Sequence, residues 1–417
     1  MIAEIIITGD EICSGVVVDS NSSHIAQRLE AEGIQVVRHN SVCDDIDTIV
    51  SMLKETGRRA DIAVVTGGLG PTTDDLTAEA AAKAAGVGLV VSDIAQSSIE
   101  VFSKTRNRSM TDIDRKQAML PEGAECLCNP VGTAPGFQLK IGRCNFFFLP
   151  GVPFEMRRMF ADSVLPRVES LCGNEREFSF IRNISIFGLT EVDINHRLAA
   201  LTEKFPGIKP GFRAIFPEIH VKLYARGKDK NICNELLIKA SEWVLSKIGD
   251  NVFSVDGESM EAVVGGLLRR KKASLAVAES CTGGLLSHWI TNVAGSSDYF
   301  LFSGVTYSND AKIKVLGVLP ETLKRYGAVH EETAKEMAEG ARRVSGAAYG
   351  LATTGIAGPG GGTDEKPVGT VCIGLATPDA VKGYKFNLTS GNRSMNKKIF
   401  AMKALDLLKM ELCNSGR

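Results

Sequence analysis

Ser280 is the side chain whose setting most invites chemistry. It sits in Glu279-Ser280-Cys281-Thr282-Gly283-Gly284, where a strand-like apolar run meets a helical pattern. A helix start aims free N–H groups and the positive end of its dipole at this spot, so an oxyanion or phosphate there is stabilised. Gly283 and Gly284 let a ligand approach the backbone closely. An ordinary Ser/Thr helix cap accounts for the same residues. A serine needs a base within reach to become a nucleophile. The nearby His288 falls two helical turns along and faces away. Val305-Thr306-Tyr307-Ser308-Asn309-Asp310-Ala311-Lys312 offers another partner. Tyr307 and Lys312, five residues apart across a strand–helix turn, can converge on one point. A Ser–Lys–Tyr set dispenses with imidazole if desolvation or a positive dipole lowers the lysine pKa. A surface lysine and a half-buried tyrosine are the plain alternative. Cys281, beside the same helix start, is the rival nucleophile.

A third segment runs from Thr353-Thr354-Gly355-Ile356-Ala357-Gly358-Pro359 to Gly362, then Glu365-Lys366-Pro367-Val368-Gly369-Thr370. Glycine this dense after a strand suits close contact with a ligand. The segment lacks the Walker Lys-Ser/Thr and opens no helix, so a structural loop is an open reading too. Near the other end of the chain, Thr66-Gly67-Gly68-Leu69-Gly70-Pro71-Thr72-Thr73-Asp74-Asp75-Leu76-Thr77 follows a strand and opens a helix. Such a turn cradles phosphate. Asp74 and Asp75 suit a divalent cation that bridges a pyrophosphate; without a metal they repel one. As simple first-turn acids they complement the helix dipole.

Alternating elements must position these residues. Expected strands are Ala3–Thr8, Ile34–Arg38, Ile62–Val65 and Cys144–Leu149. Expected helices begin at Asn21, run over Ile46–Thr56, begin near Thr73 and end at Gly86, and span Phe154–Phe160. Apolar strands joined by helices imply a parallel sheet whose carboxyl edge gathers Gly9-Asp10-Glu11 and the Gly67 run. The apolar pattern breaks at Cys172-Gly173-Asn174. Beyond it lie strands Phe178–Ile186 and Ile219–Ala225, helices Glu191–Leu201 and Asn231–Ser246, and a turn-rich stretch, Pro206–Pro217. This small α/β connector shows no catalytic constellation. From Asp256 the pattern restarts with strands Leu275–Ala278, Phe300–Thr306, Ala348–Thr353, Gly369–Leu375 and an outer Lys382–Asn387. The helices there are Thr282–Val293, Asn309–Leu316, Glu331–Val344 and Arg393–Leu412. The fold class is therefore α/β, in three parts: 1–170, 171–255 and 256–417.

Composition sets bounds on function. The 417 residues are 44% hydrophobic with a net charge of −1, so nothing suggests a polyanion-binding surface. Arg157-Arg158 and Arg269-Arg270-Lys271-Lys272 read as solvated helix faces. The ten cysteines are scattered, with no C-x-x-C pair, and read as reduced thiols in the cytoplasm. The start has no signal-peptide character and no apolar run approaches a membrane span.

Together the three C-terminal segments, with Gly295-Ser296-Ser297 and Gly327-Ala328-Val329, resemble the CinA family, specifically its nicotinamide-mononucleotide deamidase domain, over about residues 258–412. The resemblance implies that Ser280 attacks the carboxamide carbon, activated by Tyr307 and Lys312, without a cofactor. It places substrate contacts at Thr282, Gly283, Gly284, Asn309, Gly355, Ala357 and Gly358. Residues 1–165 are similar to the family's N-terminal domain, of MoaB/MogA-like parallel-sheet sandwich fold. The carriers are Gly9-Asp10-Glu11, Asp19-Ser20-Asn21, Gly67–Thr77, Arg115-Lys116-Gln117-Ala118, Asn129-Pro130-Val131-Gly132-Thr133-Ala134-Pro135-Gly136 and Leu149–Met156. That likeness implies metal-dependent cleavage of ADP-ribose to AMP and ribose 5-phosphate, with Asp74 and Asp75 on the metal. Contacts to the nucleotide are expected from Asp10, Gly67, Gly68, Gly70, Thr72 and Asn129. Ile113-Asp114 stands where Asn-Asn is expected. The implied partners are small nucleotide substrates and a second copy in a homodimer, with neither membrane nor nucleic acid. The competing readings are a nucleotide- or pterin-binding module without turnover, and a transferase of molybdenum-cofactor assembly. The complete Ser280/Tyr307/Lys312 set separates the enzyme from the binder.

Overall fold

The computed structural model describes residues 1–106, 111–172 and 178–414, with no side chains at 112 and 113. The chain divides into two compact units, Met1–Phe180 with Arg226–Asn234, and Ile181–Ala225 with Glu235–Arg417. Residues 173 and 174 of the expected boundary, and the Ile113 side chain, lie outside the described parts.

In the first unit the strands are β1 (Ile2–Thr8), β2 (Gln35–Val42), β3 (Ile62–Thr66), β4 (Leu89–Val91), β5 (Met119–Pro121), β6 (Glu125–Leu127), β7 (Gly136–Ile141) and β8 (Cys144–Leu149). The main sheet runs β2-β1-β3-β8-β7-β6, and β4 and β5 form a separate ribbon. β1 is parallel to β2 and β3, and β3 to β8. β7 and β6 extend the sheet antiparallel, so it is not parallel throughout. Only Gly142 and Arg143 separate β7 from β8, far too few residues for a parallel crossover. Alternate side chains face two cores. Ile6, Val65, Phe146 and Phe148 meet Ile49, Leu53, Ala80 and Ile99. Ile5, Ile7, Val64 and Phe147 meet Ile25, Leu29, Met156 and Phe160. The period of two thus buries both sheet faces under helices, as the near-continuous apolar strands require.

Three helices differ from expectation here, the first running over Ile46–Arg59 and not ending at Thr56. The helix after Gly67 starts at Thr77, not Thr73. The Asp75 carboxylate accepts from the Thr72 N–H (2.8 Å) and hydroxyl (2.6 Å), closing a turn that ends before the helix can begin. The helix expected over Phe154–Phe160 starts at Pro153 and continues, through a π-turn at Phe160–Val164, to Cys172.

The middle segment holds β9 (Phe178–Phe187), β10 (Ile208–Ile215), β11 (Glu218–Gly227) and β12 (Val252–Ser254), in the order β10-β11-β9-β12. The stretch read as turns, Pro206–Pro217, therefore contains a strand. Pro210 fits there because β10 is an edge strand, where a missing N–H costs no ladder bond. The helix expected over Glu191–Leu201 stops at Arg197, and a separate turn of helix covers Leu201–Lys204.

The last sheet comprises β13 (Leu275–Glu279), β14 (Phe300–Val305), β15 (Tyr349–Gly355), β16 (Thr370–Ala376) and β17 (Val381–Asn387), ordered β14-β13-β15-β16-β17. β13 is parallel to β14 and β15, while β16 and β17 run antiparallel. One face packs Val277, Leu351 and Ile373 against Val264, Leu286, Phe400 and Leu405. The other is built from small residues, Ala276, Ala278, Ala352 and Ala376, beneath Met337, Ala338 and Ala341. Small residues let the helix Glu331–Ser345 lie unusually close. A Cβ added at Gly374 would stand 1.9 Å from the Ala334 carbonyl oxygen. Gly374→Ala is therefore expected to destabilise the protein by about 1–3 kcal/mol, the usual cost of overpacking, read as a lowered denaturant midpoint. An unchanged midpoint would show that this helix can move.

Candidate active site

Three parallel strands end side by side. Glu279 at the end of β13 pairs with Val305 of β14 and Thr353 of β15. The residues just beyond, Ser280, Thr306-Tyr307 and Thr354-Gly355, are thus neighbours on the carboxyl edge, where open α/β sheets bind ligands. The Ser280 N–H donates to the Thr353 carbonyl (2.9 Å), and the hydroxyls of Thr282 and Thr353 bond at 2.7 Å. From the first turn of Asn309–Leu316, Lys312 reaches back beneath this edge. Its Nζ is 3.1 Å from Ser280 Oγ, 2.8 Å from the Thr306 carbonyl and 3.2 Å from that of Tyr307.

Lys312 is fully buried. No carboxylate lies within ion-pairing distance of it among the described residues, and burial holds its pKa below the usual lysine value. Desolvation disfavours the ammonium. A neutral amine carries two N–H donors and one lone pair. Here two carbonyls can take the donors, which leaves the lone pair for the Ser280 hydroxyl proton. After transfer, the third N–H of the ammonium points back at Oγ. The arrangement accommodates both states of a proton acceptor for Ser280.

The helix start is not where the pattern placed it. The helix is Leu285–Thr291, not Thr282–Val293, and Gly283 and Gly284 have positive φ of 59° and 91°. Its N-terminus is already filled. The buried Glu279 carboxylate accepts from the N–H groups of Gly284 (3.0 Å), Leu286 (3.1 Å) and Ser287 (2.9 Å), and from the Ser287 hydroxyl. A buried charge demands such satisfaction, so the helix end serves Glu279 and is not free for a ligand. Of the three amides expected to hold substrate oxygens, Gly284 is taken by Glu279 and Gly283 by the Ser280 carbonyl. Thr282 donates to no acceptor among the described residues.

Cys281 faces the other way, into the core. Burial pushes its thiol up to about 12, the opposite of a reactive cysteine. Tyr307 is 62% exposed. Its phenol accepts from Arg393 (3.2 Å), while its carbonyl, not its hydroxyl, contacts Lys312. Arg393 also donates to the Gly358 carbonyl (2.7 Å), and Asn396 to that of Ala357 (3.0 Å). Asn309 is exposed at the first position of its helix. Tyr307→Phe removes only the Arg393 contact, so it should change KM more than kcat. A kcat loss as deep as that from removing Lys312 would place the phenol at the nucleophile.

In the first unit a cleft of about 370 Å³ is lined by Gly9, Glu11, Asp19, Asn21, Asp44, Gly67, Gly68, Asp74, Asp75 and Gly151, among others. The structure thus brings Gly67, Gly68, Asp74 and Asp75 together. Gly70 and Thr72 fall outside it, in the turn closed by Asp75. Asp10 is engaged with Asp44, each N–H donating to the other's carboxylate at 3.1 Å. Asn129 is corrected as well: its amide spans Ala134 O (3.0 Å) and Glu155 (2.7 Å), and it borders a different groove. Among the described residues no three His, Cys, Asp or Glu side chains stand together as a metal-binding group. Asp74 and Asp75 bring two carboxylates to this cleft, one Asp75 oxygen already accepting from Thr72.

The chain aligns end to end with a CinA-like protein of Desulfosudis oleivorans, 53% identical over 99% of this chain and all of that one. The chain belongs to the CinA family. A CinA-like protein of Geobacter metallireducens is 43% identical over 97% of each chain. Residues 257–412 match the CinA C-terminal domain, 4–170 the "Probable molybdopterin binding domain", and 181–254 the damage-inducible protein CinA KH domain. The crystal structure of a competence/damage inducible protein from Agrobacterium tumefaciens is 39% identical, covering 36% of this chain and 96% of that one, with a TM-score of 0.34. The N-terminal part of the chain is similar to the molybdopterin-binding domain, and the described chain is mixed α/β. No helix among the described residues is long and apolar enough to cross a membrane.

Sequence reasoning passed over Glu279, Arg393 and Asn396 in this CinA chain. Glu279 carried a signal: a carboxylate that ends an apolar strand six residues before a helix is placed to cap it. Arg393 and Asn396 carried none, since they lie more than eighty residues from Tyr307 in the chain. The middle module's KH relationship was missed because β10 was hidden under turn residues.

Proposed function

We propose that the C-terminal domain hydrolyses the carboxamide of a nicotinamide nucleotide, nicotinamide mononucleotide in particular, through an acyl-enzyme on Ser280. The observation that carries this reading is the buried Lys312 amine at 3.1 Å from Ser280 Oγ. Lys312 takes the hydroxyl proton as Oγ attacks the carboxamide carbon. The free Thr282 N–H suits the oxyanion that forms. The Lys312 ammonium then protonates the leaving nitrogen, the C–N bond breaks and ammonia departs. Water, deprotonated by the same amine, attacks the ester, and the acid is released with Ser280 restored. Arg393 and Lys397 are cations suited to the nucleotide phosphate; Lys397 Nζ is 3.3 Å from where a Cβ on Gly283 would stand. The test is ammonia and nicotinate mononucleotide appearing in equal amounts from nicotinamide mononucleotide, without added metal. Saturable binding with no ammonia would favour the ligand-sensing alternative.

For the N-terminal cleft, the convergence of Gly67 and Gly68 with Asp74 and Asp75 favours a phosphorylated ligand that arrives with its own cation, ADP-ribose being the proposed substrate. AMP formed from ADP-ribose only when Mg²⁺ is supplied supports this reading. Absence of AMP with Mg²⁺ and Mn²⁺ alike sinks it.

A further inference from the structure

Glu279 directly precedes Ser280 and is fully buried. The three N–H groups and the hydroxyl that its carboxylate binds all come from Gly284–Ser287. The Ser287 hydroxyl spends its proton on Glu279, so it accepts from the Ser303 hydroxyl, which joins this cluster to β14. The segment so held has little intrinsic stability. The helix Leu285–Thr291 has seven residues, too few to persist alone. Its N-cap is Gly284, which has no side chain to cap it. Gly283 and Gly284, both at positive φ, give the turn before the helix the freest backbone available. On the β15 side this turn is anchored to Thr353, through the Ser280 N–H and the Thr282 hydroxyl. On the helix side the anchor is Glu279. Thr282 lies between the two anchors, so the direction of its N–H depends on both.

We propose that Glu279 is a positioning residue for the chemistry at Ser280: by binding the Gly284, Leu286 and Ser287 amides it holds the Ser280–Gly284 turn in the shape that aims the Thr282 N–H at the oxyanion. The proposal rests on the reading of Ser280 as the nucleophile. Glu279 itself neither touches the substrate nor moves a proton. A donor stabilises developing charge only if it is fixed in place beforehand. With the helix-side anchor lost, the glycine turn opens and the Thr282 N–H swings off line as charge builds on the carboxamide oxygen. The ground-state complex, held by the rest of the nucleotide, loses little. The cost therefore falls on kcat and spares KM. Glu279→Gln isolates the effect. It keeps the volume, but turns an NH₂ donor toward groups that are donors themselves.

The test compares full-length wild type and Glu279→Gln by three readings: kcat and KM for nicotinamide mononucleotide, the rate at which a fluorophosphonate labels Ser280, and hydrogen exchange at Gly284–Ser287. The expected result is a kcat loss of about 10²-fold, the scale of a small misplacement of reacting groups. KM should stay close to that of the wild type, labelling should slow in step with kcat, and the amides should exchange faster. Gly265→Ala is the control for stability alone. Its added Cβ would stand 2.5 Å from the Tyr299 hydroxyl, and Tyr299 O accepts from Leu275 N–H at the opposite end of β13. That variant should be destabilised yet label and turn over as the wild type does; an equal kcat loss there overturns the proposal. If Glu279→Gln does not fold, Glu279→Asp, one methylene short of the amides, carries the same prediction. Wild-type kcat and labelling in the variant, or a KM that rises as steeply as kcat falls, also overturns it. Slowed labelling in the variant, with no ammonia from nicotinamide mononucleotide even in the wild type, removes the proposed substrate and leaves the positioning role standing.

Discussion

Ser280→Ala is expected to stop ammonia release from nicotinamide mononucleotide, with a loss in kcat on the order of 10⁶-fold, the scale seen when a catalytic serine is removed. Folding should survive. The hydroxyl is one of three Lys312 contacts, and the two carbonyls at 2.8 and 3.2 Å remain. Cys281→Ala is the control that gives this result its meaning. Its thiol lies one residue away yet points into the core, so its removal should cost some stability and leave most turnover. Measured side by side, the two variants discriminate between neighbouring nucleophiles. Loss of turnover in the cysteine variant alone would reverse the assignment.

Lys312→Met should lower kcat by about 10²–10⁴-fold, the usual worth of a positioned proton acceptor, while leaving the protein as stable or more so at neutral pH. The sign follows from burial. Lys312 has a folded pKa below its unfolded value, so the unfolded chain holds the extra proton between the two. Stability therefore rises with pH through that window and is lost as pH falls through the folded pKa. Below the unfolded pKa the wild type bears the cost of holding this lysine either desolvated or deprotonated, which Met removes. Catalysis needs the neutral amine, so wild-type kcat/KM should climb with pH through the same lowered pKa and then level off. A rate independent of pH up to the ordinary lysine range would refute Lys312 as the base. Loss of stability together with activity would make it a structural group instead.

Much of the candidate site was legible because it lies on consecutive strand ends. Apolar runs mark β13, β14 and β15, and parallel pairing puts the residues that follow each of them on one edge, so Ser280 and Lys312 were nameable before any coordinates. Tyr307 was not assignable the same way. A residue's place at a strand end says which edge it occupies, but the twist of the exit decides whether its carbonyl or its phenol turns inward, and here it is the carbonyl. Helix starts were misjudged at Thr73 and Thr282 for one shared reason: a nearby carboxylate, Asp75 or Glu279, bonded the backbone N–H groups that periodicity alone would have given to the helix or left for a ligand.

By itself the sequence determined the α/β alternation and a hydroxyl and an amine on one sheet edge, because these follow from periodicity and from the short range of local backbone preferences. The tertiary structure alone decided that Lys312 is buried with no carboxylate in ion-pairing distance among the described residues, that Glu279 occupies the helix end, and that Arg393 meets Tyr307. Burial and charge pairing depend on every segment packed around a group, and most of those segments are remote in the chain.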